Sequence, residues 1–171
     1  MKMKFYQSIK FRLMMMTLCV CVFMGGLISF YSIHQSRVSY KRLAWNYMVD
    51  IALAYGRQVE NLLDQGGSLD SGVLEHILMN ANLEGVESSY TYIVDSEGNM
   101  LYHPNKDKIG KSVENVIVKS YIQDLKSGIK HDTYVVEYDY NGSIKYAACY
   151  TDENGRFILV VSADDDDVLR D

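Results

Sequence analysis

The hydrophobic positions change period along the chain, and each change marks a new element. Leu13 to Ile33 is a run of 21 residues without a charge, with only Thr17, Ser29 and Ser32 as small hydroxyl side chains. A helix of that length spans roughly 30 Å, the thickness of a bilayer core. From Ser36 to Gln65 an apolar stripe at Val38, Trp45, Met48, Ala52, Tyr55, Val59 and Leu62 or Leu63 recurs at spacings of three, four or seven. That period predicts a second helical stretch, closed by Gly66-Gly67. Ser71 to Leu83 carries Leu74, Ile77, Leu78 and Ala81 on one face and predicts a shorter helix, closed by Asn82 to Gly85. After Glu87 the period falls to two and the turns fill with Asp, Asn, Ser and Gly, the signature of strands.

The strands predicted are Tyr90 to Asp95 and Met100 to His103, joined by Ser96-Glu97-Gly98-Asn99 and stopped by Pro104, which cannot donate to a ladder. Ser112 to Lys126, with Val113, Val116, Ile117, Tyr121 and Leu125, reads as a crossing helix that Gly128 ends. Thr133 to Tyr140, Ile144 to Thr151 and Arg156 to Ala163 complete the set, separated by Asn141-Gly142 and Asp152-Glu153-Asn154-Gly155. Asn-Gly between two alternating runs is the strongest short-range hairpin signal. The order implies an α+β fold: a membrane helix, a long stalk helix, and a five-stranded antiparallel sheet with flanking helices.

Charge sharpens this division. The net charge is −5, yet the first acidic residue is Asp50. Seven basic residues precede it (Lys2, Lys4, Lys10, Arg12, Arg37, Lys41 and Arg42), leaving 22 acids against 10 bases after it, net −12. Such a split places the two parts in different environments, and the acidic balance argues against a nucleic-acid partner. A signal peptide also begins with a basic segment and an apolar run. Its apolar region is shorter, however, and bulky Phe30, Tyr31 and Ile33 stand where a small-residue cleavage site would be needed. We read an uncleaved anchor in the cell membrane, with a short basic N-terminal tail in the cytoplasm and the acidic remainder outside. Cys21, Gly25 and Ser29 share one helix face, a spacing that lets two membrane helices approach, although glycine is common in such helices in any case. Cys149 is the one cysteine beyond the anchor, so no disulfide within the outer domain is expected.

Tyr92 to Gly110 reads Tyr-Ile-Val-Asp-Ser-Glu-Gly-Asn-Met-Leu-Tyr-His-Pro-Asn-Lys-Asp-Lys-Ile-Gly. Together with Leu125-Lys126-Ser127-Gly128, the Tyr-rich strand ending at Asn141-Gly142, Lys145-Tyr146-Ala147-Ala148 and the closing strand Phe157 to Ser162, it resembles Cache domains, the PAS-like extracytoplasmic sensor modules. Phe157 stands where that family often has Trp. Trp45-Asn46-Tyr47-Met48 also looks like methyl-accepting chemotaxis receptors. The resemblance covers about residues 36 to 168 and implies that a small molecule binds between the sheet and the segment from Pro104 to Leu125. The expected division is then a cytoplasmic tail (1–12), a transmembrane helix (13–33), a stalk helix (34–67) and a Cache-like ligand-binding domain (68–168). Residues 169–171 are read as a truncated lead toward a second span, either of a longer receptor or of a chain that signals through a partner.

The candidate ligand contacts are Tyr102, His103, Tyr121, Tyr134, Lys145 and Tyr146. Tyrosine offers a broad apolar body with one hydroxyl, which suits a pocket for a small polar molecule. A carboxylate ligand needs a cation, for which Lys119, Lys126, Lys145 and Arg156 are available; an amino acid additionally needs an acid, for which Asp132 or Glu137 could serve. Homodimerisation through the membrane and stalk helices is expected. Asp164 to Asp167 lacks the looped spacing of a calcium site and reads as a helix start. No His-x-x-x-His, Cys-x-x-Cys, Gly-x-Ser-x-Gly or phosphate-binding glycine loop is present, so no metal, cofactor or enzymatic activity is expected. The alternatives are the sensor region of a histidine kinase or diguanylate cyclase, or a membrane-anchored protein-interaction domain without a small ligand.

Overall fold

The computed structural model describes residues 9–170; the first eight residues of the expected tail, and Asp171, lie outside the described residues. The chain divides into two units, Met1–Ser39 and Tyr40–Asp171. Helix α1 (Ile9–Asp64) contributes to both. In the first unit its large apolar side chains from Leu13 to Ile33 are exposed. Its most apolar stretch has a mean hydropathy of 2.2, and the helix is long and apolar enough to cross a membrane.

In the second unit the predicted stripe on α1 is used against a sheet. Met48, Ala52 and Val59 are fully buried, and Trp45, Tyr55 and Leu63 pack at the margin. Gly56 permits the closest approach, because a Cβ there would lie 2.3 Å from a ring carbon of Tyr150. The helix ends at Gly66 and Gly67, whose N–H groups donate to the carbonyls of Leu63 and Leu62, both at 2.9 Å. Helix α2 (Ser71–Leu78) follows and is shorter than its pattern suggests. Beyond Leu78 the backbone turns to the sheet instead: the Leu83 N–H donates to Ser89 Oγ at 2.8 Å, and the Thr91 hydroxyl donates to the Ala81 carbonyl.

The sheet consists of β1 (Tyr90–Asp95), β2 (Met100–Tyr102), β3 (Val135–Tyr140), β4 (Ser143–Thr151) and β5 (Phe157–Asp164), in the spatial order β2-β1-β5-β4-β3, all antiparallel. The β3–β4 turn is the expected Asn141-Gly142, with φ of 55° and 85°, the double left-handed conformation that this dipeptide favours. One sheet face meets α1 and α2 through Ile93, Tyr146, Phe157, Leu159 and Val161. The opposite face meets α3 (Val116–Lys126) through Tyr92, Val94, Cys149, Ile158 and Val160. Burying each such side chain contributes about 1.5–3 kcal/mol.

Two local departures from the sequence pattern shape the second face. In β2 the register slips: Val94 pairs with Met100 but Ile93 pairs with Tyr102, so Leu101 is an extra residue and the alternation reverses across it. Helix α3 starts at Val116 rather than Ser112 because Asn115 caps it, its Oδ1 accepting from the N–H groups of Ile117 (2.9 Å) and Val118 (3.4 Å). The segment before the cap instead curls along the free edge of β2. There the Met100 N–H donates to the Lys111 carbonyl (2.9 Å), the Gly110 N–H to the Met100 carbonyl (2.8 Å), and the Val113 N–H to the Gly98 carbonyl (2.8 Å).

Candidate functional site

The edge segment and the exposed end of the second sheet face enclose a cleft of about 180 Å³. Its aromatic wall is built by alternation on β1 and β3, which turns Tyr90 and Tyr92 of β1 and Tyr138 and Tyr140 of β3 to the same sheet face. Tyr90 and Tyr92 stack with ring centroids 6.0 Å apart, and His103 tilts against both at 5.2 and 5.7 Å. Burial raises the Tyr92 hydroxyl well above the ordinary phenol range and pushes Tyr138 up to about 12, so both remain neutral at physiological pH. Asn115 joins the helix cap to this wall: its Nδ2 donates to the Tyr92 hydroxyl at 3.4 Å.

His103 is 8% exposed. Its Nδ1 accepts the Asn105 N–H at 2.9 Å, which leaves the proton of the neutral ring on Nε2. Burial, and then the positive charge of Lys108, hold the imidazole below its usual pKa. Pro104 and the short 3₁₀ turn Lys106–Lys108 follow directly; the Asn105 side chain caps that turn by accepting from the Asp107 N–H at 3.0 Å. This turn delivers Lys108 to the rim.

The charged lining consists of Lys108, Lys111, Lys145 and Glu114. Lys145, on β4, is the most enclosed of the lysines, with 16% of its side chain exposed; its Nζ lies 2.5 Å from Asp164 and 5.7 Å from the centroid of the Tyr140 ring. Glu114 is 71% exposed and accepts from the Tyr140 hydroxyl at 3.1 Å, with Lys108 Nζ at 3.9 Å.

Of the six residues singled out in the sequence, His103 and Lys145 line this cleft. Tyr102 and Tyr146 do not: each is the immediate chain neighbour of a cleft residue and therefore projects to the opposite face, where both are buried with α1 and α2. The Tyr146 hydroxyl donates to Asp165 there. Tyr121 and Tyr134 form a separate cluster beneath α3, with ring centroids 6.4 Å apart and His131 4.6 Å from Tyr121. His131 Nε2 is 2.8 Å from Asp124 Oδ2, and burial raises the Tyr121 hydroxyl. Of the other cations considered, Arg156 clamps buried Asp152 and reaches Asp64, both at 2.8 Å, away from the cleft lining. Among the described residues no group of three or more His, Cys, Asp or Glu side chains could hold a metal ion.

The lining also contains Tyr90, Tyr92, Tyr138 and Asn115, which were not selected from sequence. Alternation from Val94 back to Tyr90 carries the signal for the two β1 tyrosines, and an Asn directly before Val116-Ile117 carries it for the cap.

No family profile matches the chain, and no curated protein matches it. Solved structures do. The ligand-binding domain of Mlp24 with asparagine is 12% identical, over 57% of this chain and 36% of that one, with a TM-score of 0.42. The extracellular domain of the putative histidine kinase mmHK1S-Z3 is 23% identical, over 56% of this chain and 37% of that one, at 0.42. The sensor domain of E. coli DcuS is 14% identical, over 76% and 90%, at 0.41. The chain spans little more than a third of the length of the first of these structures. At such identities and scores the likeness assigns no ligand and no residue role.

Proposed function

We propose that the chain is the extracytoplasmic small-molecule-sensing part of a bacterial chemotaxis receptor, carried on an N-terminal membrane anchor and acting without catalysis. The observation that carries this reading is the cleft itself. It is concave, walled by tyrosines, and lined by further polar groups, among them the imidazole of His103, held neutral by its surroundings, and the enclosed ammonium of Lys145. Those groups can orient a small polar ligand. The Cache-like order of motifs supports a sensor, and Trp45-Asn46-Tyr47-Met48 supports a chemoreceptor over a kinase or cyclase input. An amino acid or a small carboxylate is the ligand class, and its binding shifts an equilibrium between two packings of the sheet against α1.

Homodimerisation belongs to the same proposal. The apolar stripe predicted on the stalk is used on the sheet, so the surface left for a second copy is the exposed row Tyr40, Leu43 and Tyr47.

Thermal unfolding of the full chain in detergent micelles, against amino acids, short carboxylates and amines, tests the reading. A ligand at a hundred times its Kd adds about 2.7 kcal/mol to stability and raises Tm. Silence across the set refutes the sensor and favours a protein-interaction domain.

A further inference from the structure

The charge of the cleft is opposite to that of the domain around it. Residues 50–171 carry net −12, yet the lining holds three lysines and one carboxylate. That carboxylate, Glu114, is largely solvated and already accepts from Tyr140. Asp164, which is not part of the lining, is occupied by Lys145. A ligand ammonium entering the cleft would therefore meet three cations and no unengaged acid in its lining. A ligand carboxylate would meet Lys111, which has no ionic partner among the described residues, and Lys145, whose ammonium has three donors to distribute. The cleft is also small. At about 180 Å³ it lies below the ~300 Å³ at which pockets for drug-sized ligands begin.

Lys145 has a second connection. Its partner Asp164 is the last residue of β5, and the following α4 (Asp165–Val168) is tied down by further carboxylates. Asp165 accepts from the Tyr146 hydroxyl and lies 3.9 Å from Lys41 Nζ of α1, and Asp167 accepts from the Ser88 N–H at 2.7 Å. Lys41 in turn sits over the rings of Trp45 (5.1 Å) and Tyr146 (4.9 Å). The pair Lys145–Asp164 thus joins the cleft to the place where β5, α4 and α1 meet.

Resting on the sensor reading above, we propose that the occupant is a small carboxylate that draws the Lys145 ammonium away from Asp164, so that occupancy is reported at the β5–α4 junction. Trp45 is the chain's single tryptophan, and its ring meets that of Tyr146 edge-on at 5.5 Å. Its emission therefore reads the junction without a label.

The test uses the full chain in micelles, with carboxylates from acetate to succinate, their neutral amides, alanine as a zwitterion, and ethylamine. Carboxylates should raise Tm and change Trp45 emission, and the amides should do neither. Lys145→Met should weaken carboxylate binding about tenfold to a hundredfold, the loss of one charge-assisted hydrogen bond, and Lys145→Arg should restore part of it. Asp164→Asn removes the competitor: it should bind carboxylates at least as tightly as the parent chain while losing the emission change. Unaltered binding by Lys145→Met, or an emission change that survives in Asp164→Asn, overturns the proposal. Stabilisation by alanine or ethylamine with none from plain carboxylates overturns it while leaving the sensor reading intact. Silence from every compound overturns both.

Discussion

His103 shows how a single side chain can be fixed by its neighbours in both tautomer and charge. The Asn105 N–H claims Nδ1, the Tyr90 and Tyr92 rings exclude water, and Lys108 opposes a proton. In the unfolded chain the imidazole protonates near pH 6.5, whereas in the folded chain it does so at a lower pH. The unfolded state therefore binds more protons in this window. Stability from this residue is fully present above about pH 6.5 and is lost as pH falls through the folded value. Tm should decline between pH 7 and pH 5, and His103→Asn, which keeps an acceptor for the Asn105 N–H but does not titrate, should flatten that decline in a Tm-against-pH series. A slope unchanged by the substitution would assign the pH dependence to another group. The residue types of the cleft were readable from sequence, but their facing only partly so. Adjacent residues in a strand cannot share a face, so only one of Tyr102 and His103, and one of Lys145 and Tyr146, could line it. Sequence alone does not say which.

That choice is made at the level of elements. In β2 the extra residue Leu101 reverses the alternation, so Met100 faces the cleft side, Tyr102 the α1 side, and His103 the cleft again. Nothing in Met-Leu-Tyr-His marks a bulge, because no glycine or odd spacing accompanies it. The sheet, by contrast, was legible nearly residue by residue, since each strand is bounded by turn chemistry that leaves few registers open: Asn141-Gly142 fixes β3 against β4, and Asp95 holds the first hairpin by accepting from Glu97 and Asn99. Gly56 was the reverse case, an unremarkable glycine within a helical stripe whose reason lies in the distant Tyr150. Gly56→Ala should gain about 1 kcal/mol of helix propensity but lose more. The added methyl meets the root of the Tyr150 ring, and Tyr150 is held from its other end by a hydrogen bond to Glu60. The net expectation is destabilisation of about 1–3 kcal/mol, read as a lower midpoint in urea unfolding; a midpoint equal to or above that of the parent chain would contradict the close packing.

For the whole molecule, the charge split and the apolar run divide the chain at the level of sequence, and the structure places a packed α+β unit after the apolar one. If two copies associate through the row Tyr40, Leu43 and Tyr47, then Leu43→Cys, in a Cys19→Ser/Cys21→Ser background, should give a symmetric disulfide dimer in membranes, whereas Gln58→Cys should not. Equal crosslinking at both positions would indicate random collision. The sheet order has a consequence of its own for how this protein is made. β5 is the last strand to be synthesised but occupies the centre of the sheet, between β1 and β4. Until Phe157 to Asp164 have emerged, the hairpins β1–β2 and β3–β4 are separate ribbons, each with an unpaired apolar edge facing the gap that β5 will fill. The sheet therefore cannot close until its last strand is available, and the two hairpins join around β5 as a late step of folding. A nascent chain stalled before residue 157 would present both edges to aggregation partners or to quality-control proteases.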